Sequence, residues 1–192
     1  MLDVIPMFST PIGIEKNFIS ESERKNLYDD IKNINHHDHG ALEGDAKSTN
    51  DKKGITLNKN ILSRLEQSVV DYAKKYGLDG SLTIHSIWSN IQNKGSILKE
   101  HTHPDSVISG ALYINTGYNS KIYFHNPNPY IMFTSFTSNR NEYNSQYYWF
   151  NVSDCQLFMF PSWLKHGKNN IVNDMNDRVV ISFNVVRNLG KE

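Results

Sequence analysis

The sequence is poor in cysteine, in unbalanced charge and in long apolar runs, and each shortage argues against a class of protein. The single cysteine, Cys155, excludes an internal disulfide, and its place in the apolar run Cys155–Phe160 predicts a buried thiol. The 20 basic and 20 acidic side chains give a net charge of zero. Because nucleic-acid-binding proteins usually carry a basic face, and no run of Lys or Arg occurs here, we expect no nucleic-acid partner.

No apolar segment approaches the roughly 20 residues that span a bilayer, so no membrane partner is expected. The first residues, Met1–Pro6, lack the basic start and the long apolar stretch of a secretory signal. Both features favour a cytoplasmic protein. With 192 residues, the chain has room for one domain with a sizeable core but not for two comfortable ones.

Two amphipathic helices are predicted in the first half of the chain. One runs from Ser20 to about Ile34, with a serine that can cap it and acidic residues in its first turn. The other runs from about Asn58 to Tyr76, where apolar residues recur at helical spacing and Gly77 can end the helix. The segment between them, Asn35–Gly54, is polar and aperiodic, which predicts a mobile loop.

After Gly80 the pattern changes to short, β-branched and alternating segments separated by Gly, Asn, Pro and Ser. The predicted strands are Leu82–Trp88, Val107–Asn115, Lys121–Phe124, Tyr147–Val152, Gln156–Phe160 and Arg178–Val186. Two helices followed by many short strands predict a mainly β fold with α-helices, a β-sandwich or jelly roll with both helices packed on one sheet. We expect one domain over residues 1–192, with helical support at 1–79 and the β core at 80–192.

The pair His101-Thr102-His103 is the first candidate for chemistry. Residues two apart in an extended strand point to the same face, so both imidazoles can reach one metal ion. Pro104 follows directly and keeps the preceding residue extended. Two histidines on a solvent-exposed strand face would give the same pattern. The pair therefore needs a third ligand from elsewhere in the chain before it indicates a metal site.

His166 can supply that ligand, since it follows an apolar strand and the turn that begins at Pro161. Three protein ligands on one face leave coordination positions open for other molecules. Arg178 stands at the start of the last apolar strand, where it suits either a surface salt bridge or a bidentate contact with a carboxylate ligand. The other histidines are expected to be structural or solvated: His36, His37 and His39 in the polar loop, His85 on a strand and His125 at a strand end.

The order His101-x-His103, His166, Arg178 resembles the H-x-D/E … H … R/K pattern of the 2-oxoglutarate/Fe(II)-dependent oxygenases, prolyl hydroxylases included. A closer resemblance is to a group of such oxygenases known from marine bacteria and phages. Its features appear here as Phe8–Pro11, Trp88–Asn90 with Gly95, His101–Pro104, Ser109–Tyr113, Phe160–His166, and Arg178 with Ser182–Asn184. The resemblance covers most of the chain. It implies a cupin-like double-stranded β-helix that uses Fe(II) and 2-oxoglutarate to hydroxylate a C–H bond, with succinate and CO2 as coproducts.

The resemblance also implies roles around the cosubstrate. Arg178 would hold the distal carboxylate of 2-oxoglutarate. Tyr113 falls where prolyl-hydroxylase-like enzymes place a tyrosine that reaches the same carboxylate, and an aromatic packed in the core is the alternative. Asn90 and Ser182 are further candidates for the cosubstrate pocket.

One departure from the family pattern concerns the third metal ligand. His101 and His166 would be the two metal histidines, but the family places a carboxylate where this chain has His103. A third neutral imidazole leaves the site one charge more positive, which would favour an anionic cosubstrate. Asp105 could replace His103 as ligand if the strand bends after Pro104, so both residues remain candidates.

Three other functions fit parts of the same pattern. A cupin-type metal enzyme fits the spacing of Gly95 and the H-x-H pair, although the glutamate expected a few residues later is absent. A zinc hydrolase or lyase would use three histidines and a metal-bound hydroxide. A non-catalytic carboxylate-binding module on the same barrel would need Arg178 but no metal.

The long segments Asn35–Gly54 and Asn126–Gln146 are predicted to form a substrate-facing lid, since loops of this length in a compact domain are often functional. Tyr130, Arg140 and Tyr147 in or beside the second segment suit an aromatic mouth that closes over a bound molecule. Alternatively, these aromatics pack a hairpin or a homodimer contact. The sequence names no substrate, and a small molecule, an amino acid or a protein would fit, in a cell or in an infected host.

Overall fold

The computed structural model describes residues 2, 3, 5–49, 54–134 and 139–188. The two α-helices are α1 (Glu21–Lys32) and α2 (Lys59–Tyr76). The strands are β1 (Gly13–Glu15), β2 (Leu42–Glu43), β3 (Ala46–Ser48), β4 (Ser81–Gln92), β5 (Ile97–Leu98), β6 (Ile108–Asn115), β7 (Lys121–His125), β8 (Tyr147–Asn151), β9 (Leu157–Pro161) and β10 (Arg178–Asn188). A 3₁₀ helix spans Pro129–Thr134.

Both predicted helices are confirmed, together with the residues that begin and end them. The Ser20 side chain accepts from the N–H of Glu23, whose carboxylate in turn accepts from the N–H of Ser20, so α1 begins with a capping box. Asn58 caps α2, and Gly77 ends it in the left-handed conformation. In the described part of the chain, no helix is long and apolar enough to cross a membrane.

The larger sheet is antiparallel and has the order β1-β9-β6-β10-β4-β3. One face packs against α1 and α2, as predicted, through an apolar cluster that includes Val179, Ile181 and Phe183 of β10. Because side chains alternate along a strand, the residues between them point to the opposite face. Of these, Val180 belongs to a second apolar cluster, and both Arg178 and Asn184 line a cavity.

A second layer covers that opposite face. It contains the two-stranded sheets β2-β5 and β7-β8, which are joined by isolated bridges from His166 to His101 on one side and to Phe124 on the other. The apolar cluster between the layers includes Phe158 of the larger sheet with Ile122 and Phe124 of β7. Two facing antiparallel layers closed in this way form the expected double-stranded β-helix.

The structure differs from the sequence prediction mainly in the N-terminal segments. The stretch Asn35–Gly54, expected to be an irregular loop, contains β2 and β3, and β3 forms one edge of the larger sheet. The opposite edge, β1, also comes from the predicted helical support at 1–79. These strands have only two or three residues, which is too short for an alternating pattern to be recognised.

Gly167 allows the strand segment after His166 to lie against the segment before His101. Its φ of +86° belongs to the left-handed region, and its N–H donates to the carbonyl of Tyr123. A Cβ at this position would overlap the carbonyl oxygen of Lys99 and lie 2.9 Å from that of Leu98. Glycine is therefore required by both the backbone conformation and the close approach of two strands.

We predict that Gly167→Ala destabilises the fold more than Gly95→Ala does. Both glycines have a φ of +86°, but a Cβ at Gly95 would meet nothing within 4 Å. Gly95→Ala should lower the free energy of unfolding by about 1–2 kcal/mol, the cost of a left-handed residue. Gly167→Ala should lose roughly 1–3 kcal/mol more from overpacking. Urea denaturation measures both values. Equal losses in the two variants would contradict the conclusion that the strands approach too closely at Gly167 to admit a side chain.

Candidate active site

Three imidazoles meet on the inner side of the second layer. His101 and His166 are opposite each other, and each donates its backbone N–H to the carbonyl of the other at 3.0 Å. His103 is two residues beyond His101 and turns to the same side, as the strand period predicts. One ring nitrogen from each histidine lies within 4.8 Å of the others. Within the described residues this is the one group of three or more such side chains that could hold a metal ion.

Hydrogen bonds fix which nitrogen two of these rings present to the cluster. Nδ1 of His101 lies 2.8 Å from the carbonyl of Lys99, and Nδ1 of His166 lies 3.0 Å from that of Leu164. A carbonyl only accepts, so each Nδ1 carries the proton and donates it. The Nε2 atom of each ring is therefore unprotonated, which is the form that binds a metal, and Nε2 of His166 lies 3.4 Å from Nε2 of His103.

Burial keeps all three rings neutral. Burial, with a smaller contribution from the neighbouring His101, lowers the pKa of His103 from 6.5 to about 4. It also lowers the pKa of His101 and brings that of His166 well below 6.5. No proton therefore needs to leave these rings at neutral pH before a metal binds. Asp105, the alternative third ligand, is exposed and does not belong to the cluster.

Arg178 lies in the same cavity as the histidines. Its Nη1 donates to Oε1 of Gln92, its cross-strand partner, and its Cζ lies 5.6 Å from the centre of the Tyr113 ring. Burial lowers the pKa of Arg178, but a guanidinium stays charged at neutral pH. Burial also raises the pKa of Tyr113 to about 12, so its phenol stays protonated and can donate.

The cavity has a volume of about 510 Å³ and is enclosed by both layers. Seven of the site residues predicted from the sequence line it: His101, His103, His166, Arg178, Tyr113, Asn90 and Ser182. Asn90 lies on β4 and donates weakly to Ser182 on β10, with 3.5 Å between Nδ2 and Oγ. A group of neutral nitrogen ligands and a buried guanidinium are thus held in one chamber by two rigid layers.

The three predicted lid residues lie outside the lining of the cavity. Tyr130, Arg140 and Tyr147 are not among the residues that line the cavity. Arg140 donates to the carbonyl of Asn144, and the Tyr147 ring packs 4.5 Å from that of His125. The first lid segment does reach the cavity, through residues that include Leu42. Residues 50–53 and 135–138 of the two lid segments lie outside the described part of the chain, so the lid stays a prediction.

Sequence reasoning missed four cavity residues that the fold brings to the histidines. Trp88 has its ring centre 5.8 Å from that of His103. His39, expected to be solvated, lines the mouth although its side chain is exposed. Gln92 and Asn184 also line the cavity. Strand parity could have found the last two, because Gln92 shares a face with Asn90, and Asn184 shares one with Ser182.

Comparison with known proteins first defines the class of fold. The structure is similar to a Pseudomonas putida prolyl-4-hydroxylase, with a TM-score of 0.65, 10% identity, and coverage of 93% of this chain and 94% of that one. It is also similar to HygX from Streptomyces hygroscopicus with nickel and 2-oxoglutarate bound, with a TM-score of 0.61, 10% identity, and coverage of 94% and 84%. A viral collagen prolyl hydroxylase from Paramecium Bursaria Chlorella virus-1 gives a TM-score of 0.58 at 6% identity, with coverage of 91% and 94%.

The family follows from the sequence itself. A family model described as "Putative 2OG-Fe(II) oxygenase" matches residues 86–184, just over half of the chain. The search of curated proteins gave no match. The chain belongs to this family of 2-oxoglutarate- and Fe(II)-dependent oxygenases. This confirms the oxygenase prediction, with Fe(II) as metal and 2-oxoglutarate as cosubstrate, in preference to the cupin-type, zinc-enzyme and non-catalytic alternatives.

We predict a pH dependence of stability from the buried imidazoles. The pKa of His103 is about 4 in the folded chain and 6.5 as its ordinary value, so unfolding takes up a proton between these two values. Its contribution to stability is fully present above pH 6.5 and is lost as the pH falls toward 4. Urea denaturation at several pH values measures the slope. His103→Asn should flatten it, whereas replacement of the exposed His37 by Asn should not, and equal slopes for the two variants would contradict the prediction.

Proposed function

We propose that this oxygenase holds Fe(II) through His101, His103 and His166 and holds the distal carboxylate of 2-oxoglutarate with Arg178. The observation that carries the proposal is that one cavity contains the three histidine nitrogens and a buried guanidinium. The reaction is the hydroxylation of a substrate C–H bond. When bound, the metal and its cosubstrate supply the oxidising chemistry that couples decarboxylation to succinate and CO2 with this hydroxylation.

The donor set fits Fe(II). Imidazole nitrogen suits iron, and His101, His103 and His166 would hold the metal in a cavity that also has room for a 2-oxo acid. All three ligands are neutral, so the full charge of the cation remains to attract a dianionic cosubstrate. A carboxylate at the third position would cancel part of that attraction.

Arg178 is arranged to bind a carboxylate. One of its nitrogens is occupied by Gln92, which fixes the plane of the guanidinium and leaves its other donors available. The Tyr113 phenol lies beside it and can donate to the same oxygen atoms. Apolar side chains such as Val180 and Phe160 line the walls between this end and the histidines, and they exclude water from the bound cosubstrate.

The substrate class stays open between a protein, an amino acid and a small molecule. Among the similar structures, one is a collagen prolyl hydroxylase, and HygX was also solved with hygromycin B bound. Asn90 and Ser182 are proposed to contact the cosubstrate, and Tyr130, Arg140 and Tyr147 to belong to the lid. A cytoplasmic location in a cell or an infected host, the lack of a nucleic-acid or membrane partner, and a homodimer contact through the lid aromatics also stay predictions.

Succinate formation tests the proposed function. Protein loaded anaerobically with Fe(II) should convert 2-oxoglutarate to succinate when oxygen and a correct substrate are added, and pools of amino acids, peptides, proteins and metabolites should be screened.

His103→Ala should weaken metal binding by more than the roughly 10–100-fold that loss of an outer partner costs. Asp105→Ala should leave it unchanged. Loss of metal in the Asp105 variant alone would assign the third ligand to Asp105 instead.

The role of Arg178 has its own test. Arg178→Ala should cost about 2–5 kcal/mol of cosubstrate binding, on the order of 30-fold or more in the 2-oxoglutarate requirement, because it removes a buried charged partner. Metal affinity should change little. The matched control is Arg187→Ala at an exposed position of the same strand. An unchanged cosubstrate requirement in the Arg178 variant would refute the assignment.

A further inference from the structure

The Nδ1 atom of His103 has a different kind of neighbour from the Nδ1 atoms of His101 and His166. His101 and His166 direct Nδ1 at backbone carbonyls, whereas Nδ1 of His103 lies 3.4 Å from Nδ2, the amide nitrogen, of Asn184. Metal-binding histidines almost always donate their second ring nitrogen to an outer partner, which fixes the tautomer and the ring orientation. The side chain available for this task at His103 is Asn184.

Asn184 is the first residue of a hydrogen-bonded series of polar side chains. Its amide Oδ1 lies 2.7 Å from the hydroxyl of Ser109, and that hydroxyl lies 2.8 Å from the hydroxyl of Ser162. Both serines are buried, with 1% and 0% of their surface exposed. The carbonyl of Ser162 accepts the backbone N–H of His103 at 3.0 Å. The chain of contacts thus begins at the ring of His103 and returns to its backbone.

The strands place these side chains with little freedom. Asn184 and Ser109 are directly opposite each other in the pairing of β10 with β6. The pairing of β10 with β4 changes register immediately after Asn184. Such irregularities turn a side chain toward a new direction and are common beside active sites. The His103 ring is also packed between Trp88 and His166, at centre-to-centre distances of 5.8 and 5.1 Å.

We propose that Asn184 is the positioning residue that selects the metal-binding tautomer of His103. A histidine that binds metal through Nε2 must carry its proton on Nδ1, and this N–H needs an acceptor. A half-turn of the Asn184 amide presents Oδ1 to His103 and its NH2 group to Ser109. Ser109 then donates to Ser162, so the direction of both side-chain hydrogen bonds is reversed. An amide and two hydroxyls can run in this direction because each both donates and accepts.

The inference rests on the proposed metal site, and Zn(II) serves as a diamagnetic probe of it. Zn(II) affinity is measured by calorimetry, and the tautomer of His103 by ¹⁵N NMR of the imidazoles, without metal and with Zn(II). Asn184→Leu removes the acceptor and should weaken Zn(II) binding by roughly 10–100-fold. It should also shift the His103 ring toward the Nε2–H form. Asn184→Asp keeps an acceptor and should retain the Nδ1–H form and most of the affinity.

Two further variants keep the test decisive if Asn184→Leu folds poorly. Ser109→Ala interrupts the chain one step away and should cause a smaller loss of affinity with a partial tautomer shift. Asn115→Ala is the matched control. Asn115 is on the same strand as Ser109, but its side chain donates to the backbone carbonyl of Asp177, away from the histidines. It should leave Zn(II) binding and the tautomer unchanged.

The outcomes separate the two proposals. If His103→Ala keeps full Zn(II) affinity, the metal site and the inference both fail. If His103→Ala loses the metal but Asn184→Leu and Ser109→Ala bind it normally with His103 still in the Nδ1–H form, the metal site stands and the positioning role is overturned. Tautomer shifts in these two variants, with rescue by Asn184→Asp, establish the role, since a merely structural residue would not change which nitrogen carries the proton.

Discussion

The reciprocal backbone pairing of His101 with His166 is the contact on which the rest of the site depends. It joins the two small sheets into one layer, and the same pair places two imidazoles side by side facing the larger sheet. Gly167 makes this pairing possible because no side chain fits between its backbone and the carbonyl of Lys99. Closure of the barrel therefore also brings together histidines that could hold a metal ion.

Enclosure between two layers also decides the charges in the cavity. Burial keeps the imidazoles neutral by lowering their pKa values, while the guanidinium of Arg178 stays charged, donates a hydrogen bond to Gln92 and lies beside the Tyr113 phenol. The imidazoles at one position of the chamber are uncharged and would not neutralise a bound metal, and the guanidinium at another is a fixed cation. An anionic chelator with a second carboxylate supplies charge at both positions, which is why 2-oxoglutarate suits the cavity.

Periodicity explains what could be predicted from the sequence. The helices were predictable from their caps and apolar stripes, and the His101–His103 pair from the strand period. The short strands β2 and β3 could not be predicted, because two or three residues carry no period. Asn184 and Ser109 are 75 residues apart in the sequence, and the strand register that places them together cannot be read from a local sequence pattern. Likewise, only the fold shows that Asp105 is exposed and lies outside the cluster that His103 joins.

The third imidazole creates a requirement that a carboxylate would not have. Either oxygen of an ionised carboxylate can bind a metal, so no proton has to be placed on a particular atom. An imidazole binds through Nε2 only if Nδ1 holds the proton, and a buried N–H without an acceptor is costly. A metal site in which His103 is the third ligand would therefore need an acceptor behind the ring. The proposed acceptor is Oδ1 of Asn184 after a half-turn of its amide, with two buried hydroxyls behind it.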